Sequence, residues 1–187
     1  MTIALTRLDP PVALPVAYEQ AAQFLRLDGP EAEIDLDPLI RRATAAIEGH
    51  MRRALISQRY RLTLDAWPDG AVRLPRPPLV SVEGVDVADR DGLWHPVATG
   101  SYRVHTDAEP GELLPATAYA LPDPGLAAAG IRILFTAGYG DTWNAVPEDI
   151  RHAIIVTVAS WYDTGPDADA VPPGALALVA GYRMMGL

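Results

Sequence analysis

Two stretches in the first third of the chain place apolar residues at helical spacing. The first follows Pro15, which suits the opening turn of a helix, and the second runs to about Arg53 with its charged side chains largely on other faces. The spaced positions of the first stretch are Val16, Ala17, Ala21, Phe24 and Leu25, and one face of the second consists of Leu36, Leu39, Ile40, Ala43, Ile47, His50 and Met51. The pattern predicts two amphipathic helices within residues 16–53.

Acidic residues fill the segment between these two helices. Residues 29–37 alternate acids with small or apolar residues, which predicts a solvated loop in which Asp35 or Asp37 caps the second helix. Pro38 would then lie just inside that helix, where its missing N–H costs little. The acids could also be imagined as paired catalytic carboxylates, but a loop that caps a helix and repels other acids is the simpler interpretation.

After the second helix, the apolar residues change from helical spacing to every second position. Tyr60, Leu62 and Leu64 alternate with polar neighbours, which predicts a half-buried strand. A second alternating run breaks at an Asp-Arg-Asp-Gly stretch that ends at Gly92, which indicates a hairpin turn. Short strands at this spacing predict a small antiparallel or barrel-like β region over residues 56–138. Its further strands are expected near Val72 and Leu74, over 93–97, over 102–105, around Leu113 and over 131–136.

A third helix is predicted over residues 147–163. Pro147 opens it, the two acids that follow favour the positive end of the helix dipole, and apolar residues cover nearly all faces, so the helix should be central in a core. Residues 164–174 are rich in Pro, Asp and Gly and are expected to form a linker. The chain then closes on an apolar tail, which is either packed against its own domain or acts as a docking peptide.

The composition bounds the class of protein. A chain of 187 residues with 49% hydrophobic content is expected to fold with a real core, as one domain or one domain with an insertion. It contains no cysteine, which excludes a disulfide framework and thiolate chemistry, and no lysine, which excludes a Walker-type phosphate loop. No apolar run approaches the roughly 18 residues that a membrane span requires, and no signal peptide is apparent. We therefore expect a soluble cytoplasmic product that has no membrane partner.

The charge argues against a protein that binds nucleic acid tightly. The net charge is -9 at neutral pH, whereas strong binding depends on neutralising phosphates. DNA could still pass close to such a surface without adhering to it. The 15 basic residues are all arginines, for which the codon usage of a GC-rich genome is the simplest explanation.

Patterns that would support catalysis or metal binding are weak. The glycines on either side of Tyr139 start like a phosphate-binding fingerprint, but Trp143 stands where the third glycine is required. No nucleophile elbow occurs, and the Asp-rich turn lacks the carboxylates that a calcium loop needs at its first and twelfth positions. We expect no catalytic, cofactor-binding or metal site, and no enzyme. Metal-type spacing is also absent among the 4 histidines, which are His50, His95, His105 and His152.

The order of several sequence stretches is more distinctive than any one of them. ALISQRYRLTLDAWP leads into LPRPPL and a Ser-Val step, and FTAGYG is followed by VPEDIRHAI. In this order and spacing the chain resembles the head-tail connector family of long-tailed phages, including the adaptors of gene transfer agents. The resemblance covers roughly residues 15–163, with a further echo in LVAGYR, where Gly181 stands in place of the proline that family members often carry.

The resemblance implies an α+β fold. In that fold a helical bundle carries an inserted small antiparallel β region and ends in an extended C-terminal tail. The expected parts are an N-terminal arm over 1–14, a connector domain over 15–163 with its helical core at 16–53 and 147–163 and its β insert at 56–138, and a linker with a docking tail over 164–187.

The resemblance also implies a role and a set of partners. The subunit would form a ring of about twelve copies beneath the portal protein, lengthen the DNA channel and present a surface to the next neck or tail (stopper) protein. Its place would be the neck of a phage-like virion, assembled in the host bacterial cytoplasm, and DNA would pass through the lumen without sequence-specific binding. Neither catalysis nor a cofactor is implied. The residues expected to dock on the portal are Leu176, Leu178, Val179, Tyr182, Arg183, Met184, Met185 and Leu187.

Two rival classes remain open at this point. A soluble binding module would use the β insert to hold a carbohydrate or a peptide, and it predicts a stable monomer that binds a ligand and has no affinity for a portal. A hydrolase with a dispersed site is the second rival, although the nucleophile and metal motifs of such enzymes are missing.

Overall fold

A computed structural model describes residues 3–27, 31–117, 121–165 and 169–184. The chain divides into two units. The β unit contains Met1–Pro10 together with Ser57–Gly138, and the helical unit contains Pro11–Ile56 together with Tyr139–Gly186. Helices form one unit and antiparallel strands the other, so the mixed α+β class predicted from the sequence is confirmed.

Four α-helices lie in the described part of the helical unit. They are α1 (Tyr18–Leu25), α2 (Glu31–Met51), α3 (Glu148–Thr164) and α4 (Pro173–Leu178). The third helix contacts the other three, which confirms its predicted central position. Its buried residues pack against the apolar face predicted for α2. The main members of this core are Leu36, Ile40, Ile47 and Met51 of α2 and Ile150, Ile154, Val158 and Trp161 of α3.

The start of α2 differs from the prediction. The helix begins at Glu31, so the predicted loop is helical from there onward and Pro38 lies inside the helix. Because proline has no N–H, the Ile34 carbonyl lacks its usual partner within the helix, and for this reason the sequence favoured a later start. The residues before the proline include Glu and Ala, which favour helices, and Leu36 is completely buried in the core. Core packing therefore offsets the cost of the proline.

The capping role predicted for Asp35 or Asp37 is wrong for the same reason. Both residues lie within α2 and not at its first end. The Asp37 carboxylate instead accepts a hydrogen bond from Arg41 Nε at 2.8 Å, one turn further along the helix. Both side chains are about half exposed, so this pair adds only tenths of a kcal/mol to helix stability, on the order of 0.3–0.5.

Eight strands form two antiparallel sheets in the described part of the β unit. They are β1 (Ile3–Arg7), β2 (Gln58–Leu64), β3 (Val72–Leu74), β4 (Leu79–Ala88), β5 (Trp94–Pro96), β6 (Tyr102–His105), β7 (Gly111–Pro115) and β8 (Ile131–Ala137). The larger sheet has the order β1-β2-β8-β4-β5, and the smaller one has the order β3-β7-β6. Each strand predicted from alternation after the second helix is present.

Alternating burial runs along β2 and β8, as the sequence period requires. Leu62 and Ile133 face each other across this strand pair and are buried, and the Tyr60 ring stacks on Phe135 with 5.6 Å between ring centroids. Between the sheets, Gly111 of β7 lies against Leu79 of β4, and a Cβ built on the glycine would come within 2.5 Å of that side chain. Only glycine fits at this close approach.

The predicted hairpin turn joins β4 to β5. Asp89 Oδ1 accepts hydrogen bonds from the backbone N–H groups of Asp91 and Leu93, both at 2.9 Å. Gly92 adopts a φ of 81°, which other residues rarely adopt. The short carboxylate and the glycine therefore determine this turn, as their positions in the sequence indicated.

One strand was not predicted. The sequence predicts an arm over residues 1–14, whereas Ile3–Arg7 forms β1, which pairs antiparallel with β2 along its whole length. A five-residue strand at a sheet edge has little periodicity of its own, and its conformation depends on the neighbouring strand. The expectation of an arm is therefore wrong for these residues.

Candidate docking surface

The apolar C-terminal segment folds onto the helical unit. The helix α4 packs against α3, and Ala175 and Val179 are completely buried. The segment before α4 is held as well, because the Trp161 indole N–H donates a hydrogen bond to the Ala170 carbonyl at 2.9 Å. A short helix and a 3-10 turn at Ala180–Tyr182 thus replace the extended tail that was expected here.

Arg53, which follows the end of α2, holds the end of this segment. Arg53 is only 6% exposed, its Nε donates a hydrogen bond to the Tyr182 carbonyl at 2.5 Å, and its Nη2 lies 3.7 Å from the Met184 sulfur. The Met184 N–H also donates to the Met51 carbonyl at 3.0 Å. A hydrogen bond from a guanidinium is charge-assisted and roughly twice as strong as a neutral one. Arg53 is therefore the main polar tie between the C-terminal segment and the end of α2 in the part of the chain that the structure describes.

Sequence reasoning did not single out Arg53 for this role. It placed Arg53 among surface arginines of the second helix, because its partners Tyr182 and Met184 lie far away in the chain. The apolar run Ala54-Leu55-Ile56 directly after Arg53 was the available signal that this arginine lies beside the core.

The predicted docking residues differ in how far they are exposed, and Val179 is buried. The exposed docking residues can offer a partner the largest contact area, and Leu178, for example, is 37% exposed. Half-buried members can contribute only part of their side chains. The groups are Leu178 and Arg183, which are exposed, Leu176, Tyr182 and Met184, which are half-buried, Val179, which lies in the core, and Met185 and Leu187, which lie outside the described residues.

An ion-pair network crosses the outer face of the larger sheet. Arg59 of β2 donates two hydrogen bonds to Glu83 of β4, from Nη2 at 2.8 Å and from Nε at 3.0 Å, and also lies 3.5 Å from Asp9. Thr136 of β8 donates a further hydrogen bond to the Glu83 carboxylate at 2.6 Å. The hydrogen bonds from Arg59 hold the pKa of Glu83 below its ordinary value, while partial burial opposes that shift. The network links three adjacent strands and gives no sign of a reactive group.

The histidines of the β unit are surface residues with acidic neighbours. His95 Nε2 lies 2.7 Å from Asp89 Oδ2 in the hairpin turn, and this hydrogen bond is the main reason that the pKa of Asp89 lies below its ordinary value. His105 Nδ1 lies 4.0 Å from a Glu112 oxygen, and both histidines are more than half exposed. Across the described ranges, no cluster of three or more His, Cys, Asp or Glu side chains is arranged to hold a metal ion.

A shallow surface cavity of about 310 Å³ is also present in the β unit. Trp67 forms one side, and its indole N–H donates a hydrogen bond to the Pro122 carbonyl at 2.8 Å. Asp69 and Asp123 also line this cavity. Along the described residues, no helix has both the length and the apolar character to cross a membrane.

Proteins similar to this chain were found by comparing structures. No family model and no curated protein sequence matches the chain. The fold matches a chain in the virion of a native gene transfer agent particle, at 29% identity with a TM-score of 0.82 over 98% of this chain and 96% of that one. It also matches a chain in the neck of an empty particle solved with C6 symmetry, at 29% identity with a TM-score of 0.83 over 98% and 97%.

A third match is a chain in the neck of a native gene transfer agent particle solved with C12 symmetry. The identity is 30% and the TM-score 0.80, and the match covers 98% of this chain and 97% of that one. These likenesses define the chain as a structural protein of a phage-like virion, located in its neck. The chain belongs to the family of gene transfer agent neck proteins, which confirms the resemblance stated from the sequence.

Proposed function

We propose that the chain is the adaptor subunit of a head-tail connector. Copies of it form a ring beneath the portal, lengthen the DNA channel and present a surface to the next neck protein. The likeness to gene transfer agent neck proteins carries this proposal, because it covers 98% of the chain and so includes both units. In this role the helical unit acts as a bundle around α3, and no catalytic step is involved.

Ring assembly is supported by the symmetry of the matched particles. Two of the matched necks have C6 and C12 symmetry, and a ring of twelve copies is compatible with both. A closed ring of identical subunits requires a head-to-tail contact between two unlike surfaces. The proposed subunit therefore presents one surface to each of its two neighbours.

The acidic charge suits a wall along which DNA slides. Each copy carries a net charge of -9, and repetition around a ring multiplies it. An acidic wall repels the phosphates of the DNA backbone and gives no electrostatic affinity that would hold the DNA in place. The lumen is thereby kept free of sequence-specific or tight contacts.

Attachment to the portal is assigned to the C-terminal segment. Its exposed members Leu178 and Arg183 offer an apolar and a charged contact, and Arg53 fixes the backbone that carries them. Deleting the segment would also remove Ala175 and Val179 from the core, so a deletion would confuse loss of docking with loss of folding. Single changes at exposed positions separate the two effects.

The test mixes the purified subunit with the portal protein encoded in the same gene cluster and measures the mass of the complex by native mass spectrometry. We expect twelve subunits per portal ring, and we expect Leu178→Asp to lower the bound number without altering the far-UV circular dichroism of the subunit. Leu93→Asp is the matched control, because Leu93 is an exposed leucine of the β unit at 62% exposure. A portal that binds no wild-type subunit, under conditions in which heads assemble, would refute the proposal.

A ligand-binding module is the second candidate function. It is favoured by the cavity beside Trp67, since an aromatic ring beside Asp69 and Asp123 could hold a small polar ligand or a peptide side chain. This candidate predicts a stable monomer whose Trp67 fluorescence changes on titration with a ligand. It does not account for the likeness to neck proteins over both units.

A further inference from the structure

Within the described residues, β1 is the terminal strand of the larger sheet and no further strand pairs with its outer edge. Leu8 N donates to the Arg59 carbonyl at 2.9 Å, and Arg7 pairs with Tyr60. In an antiparallel pair, residues that bond to the partner strand alternate with residues that do not. Thr6, like Leu8, therefore directs its N–H and C=O toward β2, whereas Leu5 and Arg7 direct theirs away from the sheet.

The same alternation holds through the rest of the sheet. The Gly138 N–H bonds to the Pro78 carbonyl, the Ala88 N–H to the Gly130 carbonyl and the Val97 N–H to the Val85 carbonyl, at 2.9, 2.8 and 2.8 Å. When the register is followed from β1 through β2 and β8 to β4, these bonds fall at the positions that the alternation in β1 requires. The outward direction of the Leu5 and Arg7 backbone groups is thus consistent with the hydrogen bonds of the whole sheet.

The opposite edge of the sheet is blocked more strongly than β1. At that edge β5 has only three residues, and its outward positions are Trp94 and Pro96, of which the proline has no N–H. Natural proteins block exposed edges with proline, bulges, short strands or charged side chains. The charged side chain on β1, Arg7, is engaged within the subunit, since its Nη1 donates a hydrogen bond to Gln58 Oε1 of β2 at 3.3 Å. The first strand has five residues, regular pairing and no proline within it.

The inner face of β1 is also incompletely covered. Leu5 lies opposite the buried Leu62 and is itself half-buried, so the apolar side of the sheet continues to its edge. A further strand beside β1 would cover Leu5 and would satisfy the outward groups of Leu5 and Arg7. Both effects favour the addition of a strand from outside the subunit.

We propose that β1 is an intersubunit edge, to which an extended segment of a neighbouring copy of this chain adds as a sixth strand. The inference rests on the proposed ring. In a symmetric neck, every subunit has an identical copy on each side. If the edge of β1 receives a strand from a different part of the neighbouring copy, the contact joins two unlike surfaces, and such head-to-tail contacts can close a ring. A pairing of two β1 strands would give a twofold dimer and would not propagate around a ring.

The test compares amide hydrogen exchange in the free subunit and in the ring assembled on the portal, read residue by residue by mass spectrometry. We expect the Leu5 and Arg7 amides to gain at least tenfold protection in the ring, while the Thr6 amide is already protected in the free subunit. A ring that forms with fast exchange at Leu5 and Arg7 would overturn the edge contact and leave the adaptor role intact. Failure to form any ring would overturn both.

A proline substitution tests the outward N–H directly. Leu5→Pro removes that N–H and leaves the bonds between β1 and β2 in place, and Leu5→Ala is the control for the lost side chain. We expect Leu5→Pro to raise the concentration needed for half-maximal ring formation about tenfold relative to Leu5→Ala. Equal ring formation by the two variants would contradict the proposal, and the exchange measurement still decides the matter if Leu5→Pro fails to fold.

The identity of the added strand is tested by crosslinking. A photoreactive amino acid at the exposed Thr6 position reports what lies beside β1 in the assembled complex. A product with the mass of two copies of this chain supports the proposal. A product that joins the chain to the portal or to another neck protein would show that a different protein occupies the edge.

Discussion

Replacing Arg53 tests how the C-terminal segment is held. We consider Arg53→Met, which keeps much of the apolar stem of the side chain and removes its hydrogen-bond donors. The bond from Nε to the Tyr182 carbonyl is lost, and that carbonyl is left in a partly buried position. Hydrogen bonds to charged groups contribute about 1.5–3 kcal/mol to stability, so the free energy of unfolding should fall by roughly that amount.

Urea unfolding followed by circular dichroism at 222 nm measures this change, because the helices dominate that signal. Arg52→Met is the matched control, since Arg52 is the exposed neighbour and the same charge is removed. Substitutions at exposed surface sites usually change stability by less than about 0.5 kcal/mol. If Arg53→Met and Arg52→Met lowered the free energy of unfolding equally, Arg53 would not be the tie that the geometry indicates.

Three further changes test the packing and electrostatics of the β unit. Phe135→Ala should lower the free energy of unfolding by about 3–5 kcal/mol in urea unfolding, because the ring is completely buried. Gly111→Ala should cost about 1–3 kcal/mol through overlap with Leu79, whereas Gly84→Ala, which has no atom within 4 Å of the new Cβ, should cost clearly less in the same assay. The folded-state pKa of Glu83 is lowered, so its contribution to stability is present above the ordinary carboxyl pKa and is lost as the pH falls through the folded value. Glu83→Gln should therefore flatten the acid limb of a plot of unfolding free energy against pH, and an unchanged acid limb would contradict the ion-pair network.

The strands of the β unit could be predicted because each carries its own pattern. Tyr60, Leu62 and Leu64 alternate with polar residues and are all buried on one face, so local sequence and tertiary packing agree. The first strand has only a brief pattern, in which Ile3 and Leu5 alternate with Ala4 and Thr6, and such a short run does not predict a strand without its pairing to β2. The start of α2 was missed because Pro38 is a local signal that the burial of Leu36 overrides.

The candidate docking surface was only partly predictable. The apolar composition of the C-terminal segment pointed to packing or docking, but composition does not say which residues face the core. Val179 and Leu178 are adjacent and equally apolar, yet one is buried and the other exposed because of the turn of a single short helix. The contact of Arg53 with Tyr182 depends on how distant parts of the chain pack, and no local pattern encodes it.

The adaptor role is tested most directly by electron cryo-microscopy of portals incubated with the purified protein, with class averages compared to portals alone. We predict a collar of twelvefold repeated density on the tail-facing side of the portal, into which both units of the subunit fit. Portals without added density beside free monomers, in a preparation whose heads assemble normally, would contradict the account.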